Sequence, residues 1–147
     1  PQEEKDLYDI FTAQGVKMAM DSGRKMQDPI TPESLGEALY LIVDRIEMEG
    51  ANHGIDFPMN VMLHGATEAM EALISSAGVE MQEEELRAAM GIAVGKYIQT
   101  GMDRGTVTPE KLQVAAEQAQ QYAQDLEAEQ QMEQSQGAMG GQRNGAY

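Results

Sequence analysis

Thr31-Pro32-Glu33-Ser34-Leu35-Gly36-Glu37-Ala38-Leu39-Tyr40-Leu41-Ile42-Val43-Asp44-Arg45-Ile46 decides the fold class. A threonine ahead of a proline and an acid has the form of a helix start. The hydroxyl caps free backbone N–H groups, proline has no N–H to leave unsatisfied in the first turn, and Glu33 faces the positive end of the helix dipole. Leu35, Ala38, Leu39, Ile42 and Ile46 then fall three and four apart, one apolar stripe that closes at Gly50. Leu41 and Val43 lie off that stripe. A helix apolar on two sides is expected at the centre of a bundle.

The same grammar recurs on either side. A first helix is expected from about Glu3 to Met20, with Leu7, Ile10, Phe11 and Met18 at helical spacing, followed by a polar linker from Arg24 to Ile30. Ala51 to Phe57 reads as a loop pinned by Ile55 and Phe57. A third helix begins near Pro58, runs through Val61, Met62, Ala66, Ala69, Met70, Leu73 and Ile74, and stops at Gly78. A fourth starts at Met81 or Gln82, carries Glu83, Glu84 and Glu85 where the dipole favours acids, and ends at Gly101 or Gly105. Its expected buried face is Leu86, Ala89, Met90, Ala93, Val94, Tyr97 and Ile98.

Composition agrees with an all-α core. The 147 residues include no Cys, no Trp, 12 Met and only 5% aromatic side chains, too few rings for an aromatic-cored sandwich or barrel. Without cysteine there is no disulfide framework and no thiolate metal site. The net charge of −15, from 25 acids against 10 bases, repels phosphates and anionic headgroups, so neither nucleic acid nor a membrane surface is an expected partner. The longest apolar run, Ala88 to Gly95, is far short of the roughly 20 residues that span a bilayer, so no stable membrane insertion is expected. The opening Pro1-Gln2-Glu3-Glu4-Lys5-Asp6 lacks the flank and apolar run of a signal peptide, and Pro1 itself fits an initiator Met trimmed away.

Thr108-Pro109-Glu110 repeats the cap of the second helix and announces a fifth. Leu112, Ala115, Ala119, Tyr122 and Leu126 form a heptad-like seam whose small residues let another helix approach. From Gln118 to Gln136 the chain is dominated by Gln, Glu and Ala, good helix formers that bury little, and Gly137 to Tyr147 is a Gly-rich tail. The expected organisation is a helical domain over 1–126 and a polar extension with tail over 127–147: about five helices in a compact bundle, the last projecting. The seam residues Leu112, Ala115, Ala119, Tyr122 and Leu126, with Arg143 and Tyr147 of the tail, are the partner-binding candidates.

Ala115-Ala116-Glu117-Gln118-Ala119-Gln120-Gln121-Tyr122-Ala123-Gln124 and Gly137-Ala138-Met139-Gly140-Gly141-Gln142, behind an acidic, Cys-free, Met-rich helical core, resemble the small virion proteins of tailed bacteriophages. These are the portal-associated, head-completion and ejection types. The resemblance is one of composition, and it implies a noncatalytic part held in the particle by neighbouring virion proteins or copies of itself, assembled in the host cytoplasm. The alternative is a soluble intracellular adaptor or chaperone that binds a basic partner through acid-rich faces.

No motif argues for chemistry. His64 could share a helix face with Asn60 and Glu68, but Gly65-Ala66-Thr67 stands where a metallopeptidase helix needs its second ligand, so a structural or surface histidine is expected. Reading Asp44 to Asp56 as a calcium loop puts Arg45 at the first ligand position. Gly91 and Gly95, a small-xxx-small pair, are expected to seat the fourth helix against the thin face of the third, Gly65, Ala66, Ala69 and Ala72. The methionines are expected to fill the core. The Ser, Tyr and Lys residues form no nucleophile and base pairing, phosphate loops are absent, and no cofactor is expected.

Overall fold

The computed structural model describes residues 2–114 and, beyond them, 116, 117, 120, 121, 124, 128, 131 and 132. The protein is all-α. The chain divides into two compact units, Pro1–Thr108 and Pro109–Tyr147. The expected boundary at 126 marks where the apolar seam stops, and the compact units divide earlier, at the Thr108–Pro109 cap.

The first unit holds four helices, α1 (Gln2–Lys25), α2 (Pro32–Asn52), α3 (Met59–Ala77) and α4 (Glu83–Arg104). The caps are those the sequence announces. Thr31 accepts from the Ser34 amide while the Ser34 hydroxyl accepts from the Thr31 amide, a reciprocal capping box ahead of Pro32. Gly78 and Gly105 end α3 and α4 in the left-handed region, at φ 71° and 75°. Two ends run past their expected limits: α1 continues to Lys25 instead of fading at Asp21, and α2 passes Gly50 to Asn52.

The helices pair α1 with α3 and α2 with α4, and α2 also touches α1 and α3. Its two-sided apolar surface is the cause. Leu35, Leu39, Ile42, Val43 and Ile46 are all buried, while Leu41 points outward at 57% exposure. Contacts within each major pair advance together along both chains, so the partners run parallel. On one side a Cβ at Gly15 would sit against Ala69 and one at Gly65 against Phe11, and further along the Ser76 hydroxyl donates to the Ala19 carbonyl. On the other, Gly36 abuts Ala89 and Ile92, and Glu47 meets Tyr97.

The α1–α3 seam is built from small residues. Phe11, Gly15, Ala19 and Gly23 recur every fourth position and are all buried. A Cβ on Gly65 would lie 2.2 Å from the Phe11 ring, and one on Gly23 would lie 2.7 Å from the Leu73 carbonyl oxygen. The backbones therefore approach more closely than side chains would permit. Phe11 then meets Phe57 edge to face, ring centroids 5.2 Å apart, which fixes the α2–α3 loop over the core. Phe57 is buried and Ile55 packs against the same cluster.

Three packing expectations are corrected. The thin face of α3 meets α1, and Gly91 and Gly95 of α4 are exposed, with nothing within 4 Å of an added Cβ. The reason is that α4 docks on α2 through Ala89 and Ala93, which turns its glycines away from the core. Ile10, expected on the buried face of α1, is 40% exposed because the glycine and alanine positions take that place. The methionines divide: Met62 and Met70 are buried, Met18, Met26, Met59, Met81 and Met90 pack at the core edge, and Met20, Met48 and Met102 are exposed.

Candidate functional site

Of the seven partner-binding candidates, Leu112 lies among the described residues, half-buried on the helix that starts at 109. Ala115, Ala119, Tyr122, Leu126, Arg143 and Tyr147 lie outside them. The described part of the second unit carries exposed apolar side chains, Val114 at 45% and Met132 at 64%.

In the first unit the two groups that could share a face with His64, Asn60 and Glu68, stand beside it at the surface. His64 is exposed and stands edge-on to Tyr8, ring centroids 6.5 Å apart, beside Asn60, whose amide donates to the Glu4 carboxylate. Glu68 is exposed as well. Among the described residues no group of three His, Cys, Asp or Glu is placed to hold a metal ion.

Asp44, Glu47 and Glu49, three of the acids in the calcium-loop reading, are engaged by other side chains. Arg104 of α4 donates to Asp44 at 2.9 Å, Tyr97 donates its phenol proton to Glu47 at 2.5 Å, and Arg45 reaches Glu49 at 3.4 Å. Burial pushes the Tyr97 phenol well above its usual range, and the Glu47 carboxylate that accepts from it pushes the same way. Asp44, Glu47, Tyr97 and Arg104 thus lash α4 to α2 along a narrow cleft. The sequence reading placed Tyr97 on the buried face but gave it no partner, since the partner lies fifty positions away on another helix.

A groove of about 700 Å³ runs between α1 and α2, lined by Gln14, Lys17, Met18, Met20, Asp21, Arg24, Arg45 and Glu49. It is the contrasting surface of an acidic chain. Lys25 pairs with Asp21 at 3.2 Å and Arg45 with Glu49 at 3.4 Å, while Lys17 and Arg24 have no acidic partner within 4.0 Å among the described residues. Sequence reading did not find this groove. Lys17, Arg24 and Arg45 are scattered in sequence, and only the α1–α2 packing collects them.

Comparison with family profiles, curated proteins and solved structures finds nothing that matches this chain. Among the described residues no helix is long and apolar enough to cross a membrane. The described surface carries a groove lined by Lys17, Arg24, Arg45, Met18 and Met20, and the helix that starts at 109 carries the exposed Val114.

Proposed function

We propose that this protein is a noncatalytic structural component of a tailed-bacteriophage virion, held in the particle by its C-terminal helix and tail. The observation that carries the reading is the division of the chain at Thr108. The stretch that follows opens with a helix start, carries the seam Leu112, Ala115, Ala119, Tyr122 and Leu126, and belongs to a unit of its own. An amphipathic stripe is stabilised by burial against a second apolar surface, and a partner helix would supply one. The likeness to small virion proteins in the Ala/Gln/Glu stretch and the Gly-rich end supports placing that partner in a particle, as another virion protein or a copy of this chain. The work done is occupancy: the protein fills a position and joins neighbours.

The test is Leu126→Asp in the full chain, scored by incorporation into purified particles and by helicity of the free protein. Full burial of a leucine is worth about 1.5–3 kcal/mol, and a buried unpaired carboxylate costs more. Incorporation should therefore fall by tenfold or more while the circular dichroism of the four-helix unit stays intact. A variant that enters particles normally, or one that unfolds entirely, defeats the docking reading.

A further inference from the structure

We propose that the basic groove between α1 and α2 receives the acidic C-terminal helix of a second copy of this chain. The inference rests on the docking reading above and names the surface that the seam finds. Three of the chain's ten bases, Lys17, Arg24 and Arg45, line this one groove, and Lys25 stands beside it on α1, paired with Asp21. Only two acids, Asp21 and Glu49, stand among them, and each is held by a base of its own helix. Lys17 and Arg24 supply the surplus positive charge, one on each of two successive double turns of α1.

The complementary element is in the same sequence. From 112 to 142 there are five acids, Glu117, Asp125, Glu127, Glu129 and Glu133, and no base. Asp125, Glu129 and Glu133 are four apart in sequence, the spacing that sets acids in a single line on a helix, offset by about one turn from the four-apart pair Tyr122 and Leu126. The described positions 124, 128, 131 and 132 are helical. An acidic line beside an apolar one matches a groove that sets Lys17, Arg24 and Arg45 beside Met18 and Met20, the latter 42% exposed. Thioether side chains adapt to rings and branched chains, so Tyr122 and Leu126 have a fitting bed.

This apolar floor decides among anionic occupants. A bare phosphate or a nucleic-acid backbone would use the bases and leave the apolar surface of Met18 and Met20 uncovered. An amphipathic acidic helix uses both halves of the groove. Donor and receiving surfaces are different, so the contact is head-to-tail, and repetition gives a closed ring or an open filament in place of a two-fold dimer.

The experiment follows association of the full chain by sedimentation velocity, with far-UV circular dichroism as the fold control. Two charge-reversed chains are compared with the parent: one with Lys17→Glu and Arg24→Glu, the other with Asp125→Lys, Glu129→Lys and Glu133→Lys. Each alone should associate about tenfold more weakly or not at all. Mixed together, the reversed groove meets the reversed helix and the native groove the native helix, so assembly should return. The proposal is overturned if the parent chain stays monomeric, if groove reversal leaves association unchanged, or if the mixture does not reassemble. Loss on Leu126→Asp with no effect of groove reversal would keep the docking reading and remove this groove from it. Particle incorporation insensitive to Leu126→Asp would remove the reading itself.

Discussion

Gly65 and Gly91 show how one residue type does opposite things on two helices. An added methyl at Gly65 would run into the Phe11 ring, while at Gly91 it would meet nothing within 4 Å. Glycine in a helix interior costs about 0.5–1 kcal/mol relative to alanine, and overpacking a tight seam costs about 1–3 kcal/mol. Gly65→Ala should therefore lower stability by about 1–2 kcal/mol, the clash outweighing the gain in propensity. Gly91→Ala should raise it by about 0.5–1 kcal/mol. Urea midpoints of the two variants should move in opposite directions from the parent, and a shared direction would place the glycines in the wrong environments. The sequence alone could not separate them, because a small residue at helical spacing signals close approach only when a neighbour is present. It was the Phe11 side chain, remote in sequence, that made one glycine structural and left the other free.

At the scale of elements, what was legible was local and what was missed was pairing. Thr31-Pro32 and Gly78 located helix ends because capping is settled within a few residues. The stripe of α2 was legible because leucine and isoleucine advertise burial, whereas the true face of α1, Phe11-Gly15-Ala19-Gly23, is three parts glycine and alanine and carries almost no hydropathy signal. Choosing α1 as the partner of α3 required a long-range fact that periodicity does not hold. The polar lashing of α4 to α2 escaped for the same reason, and it carries its own prediction. The folded phenol of Tyr97 is held protonated well above the range where an unfolded tyrosine ionises, at about 10. Above that pH the folded chain binds more protons than the unfolded one, so this residue's contribution is complete at neutral pH and is lost as pH rises beyond about 10. Urea titrations of the parent should lose stability through that alkaline window more steeply than those of Tyr97→Phe. Equal slopes would mean that the phenol is not shielded and not bonded to Glu47.

Across the whole four-helix unit the burial is uneven, and the unevenness falls on α4. α2 buries Leu35, Leu39, Ile42, Val43 and Ile46, and α3 buries Val61, Met62, Met70 and Leu73, but α4 buries only Ala89, Ala93 and Gly101. Its remaining attachments include the half-exposed ion pairs Asp44–Arg104 and Glu37–Lys96, and exposed pairs of this kind contribute about 0–1 kcal/mol each. A helix that fully buries only two alanine side chains and a glycine, with Leu86, Met90 and Tyr97 part-buried at the core edge, is the element of this unit expected to open first, lifting away while α1, α2 and α3 stay folded. Native-state hydrogen exchange should then show two free-energy levels. Amides of α4 should exchange through an opening well below the global unfolding energy, with α2 and α3 at the global limit. One level for all four helices would show that the unit opens only as a block. If there are two, the first unit carries a latch, and the solvent-facing row Gly91, Gly95 and Met102 rides on the part that opens.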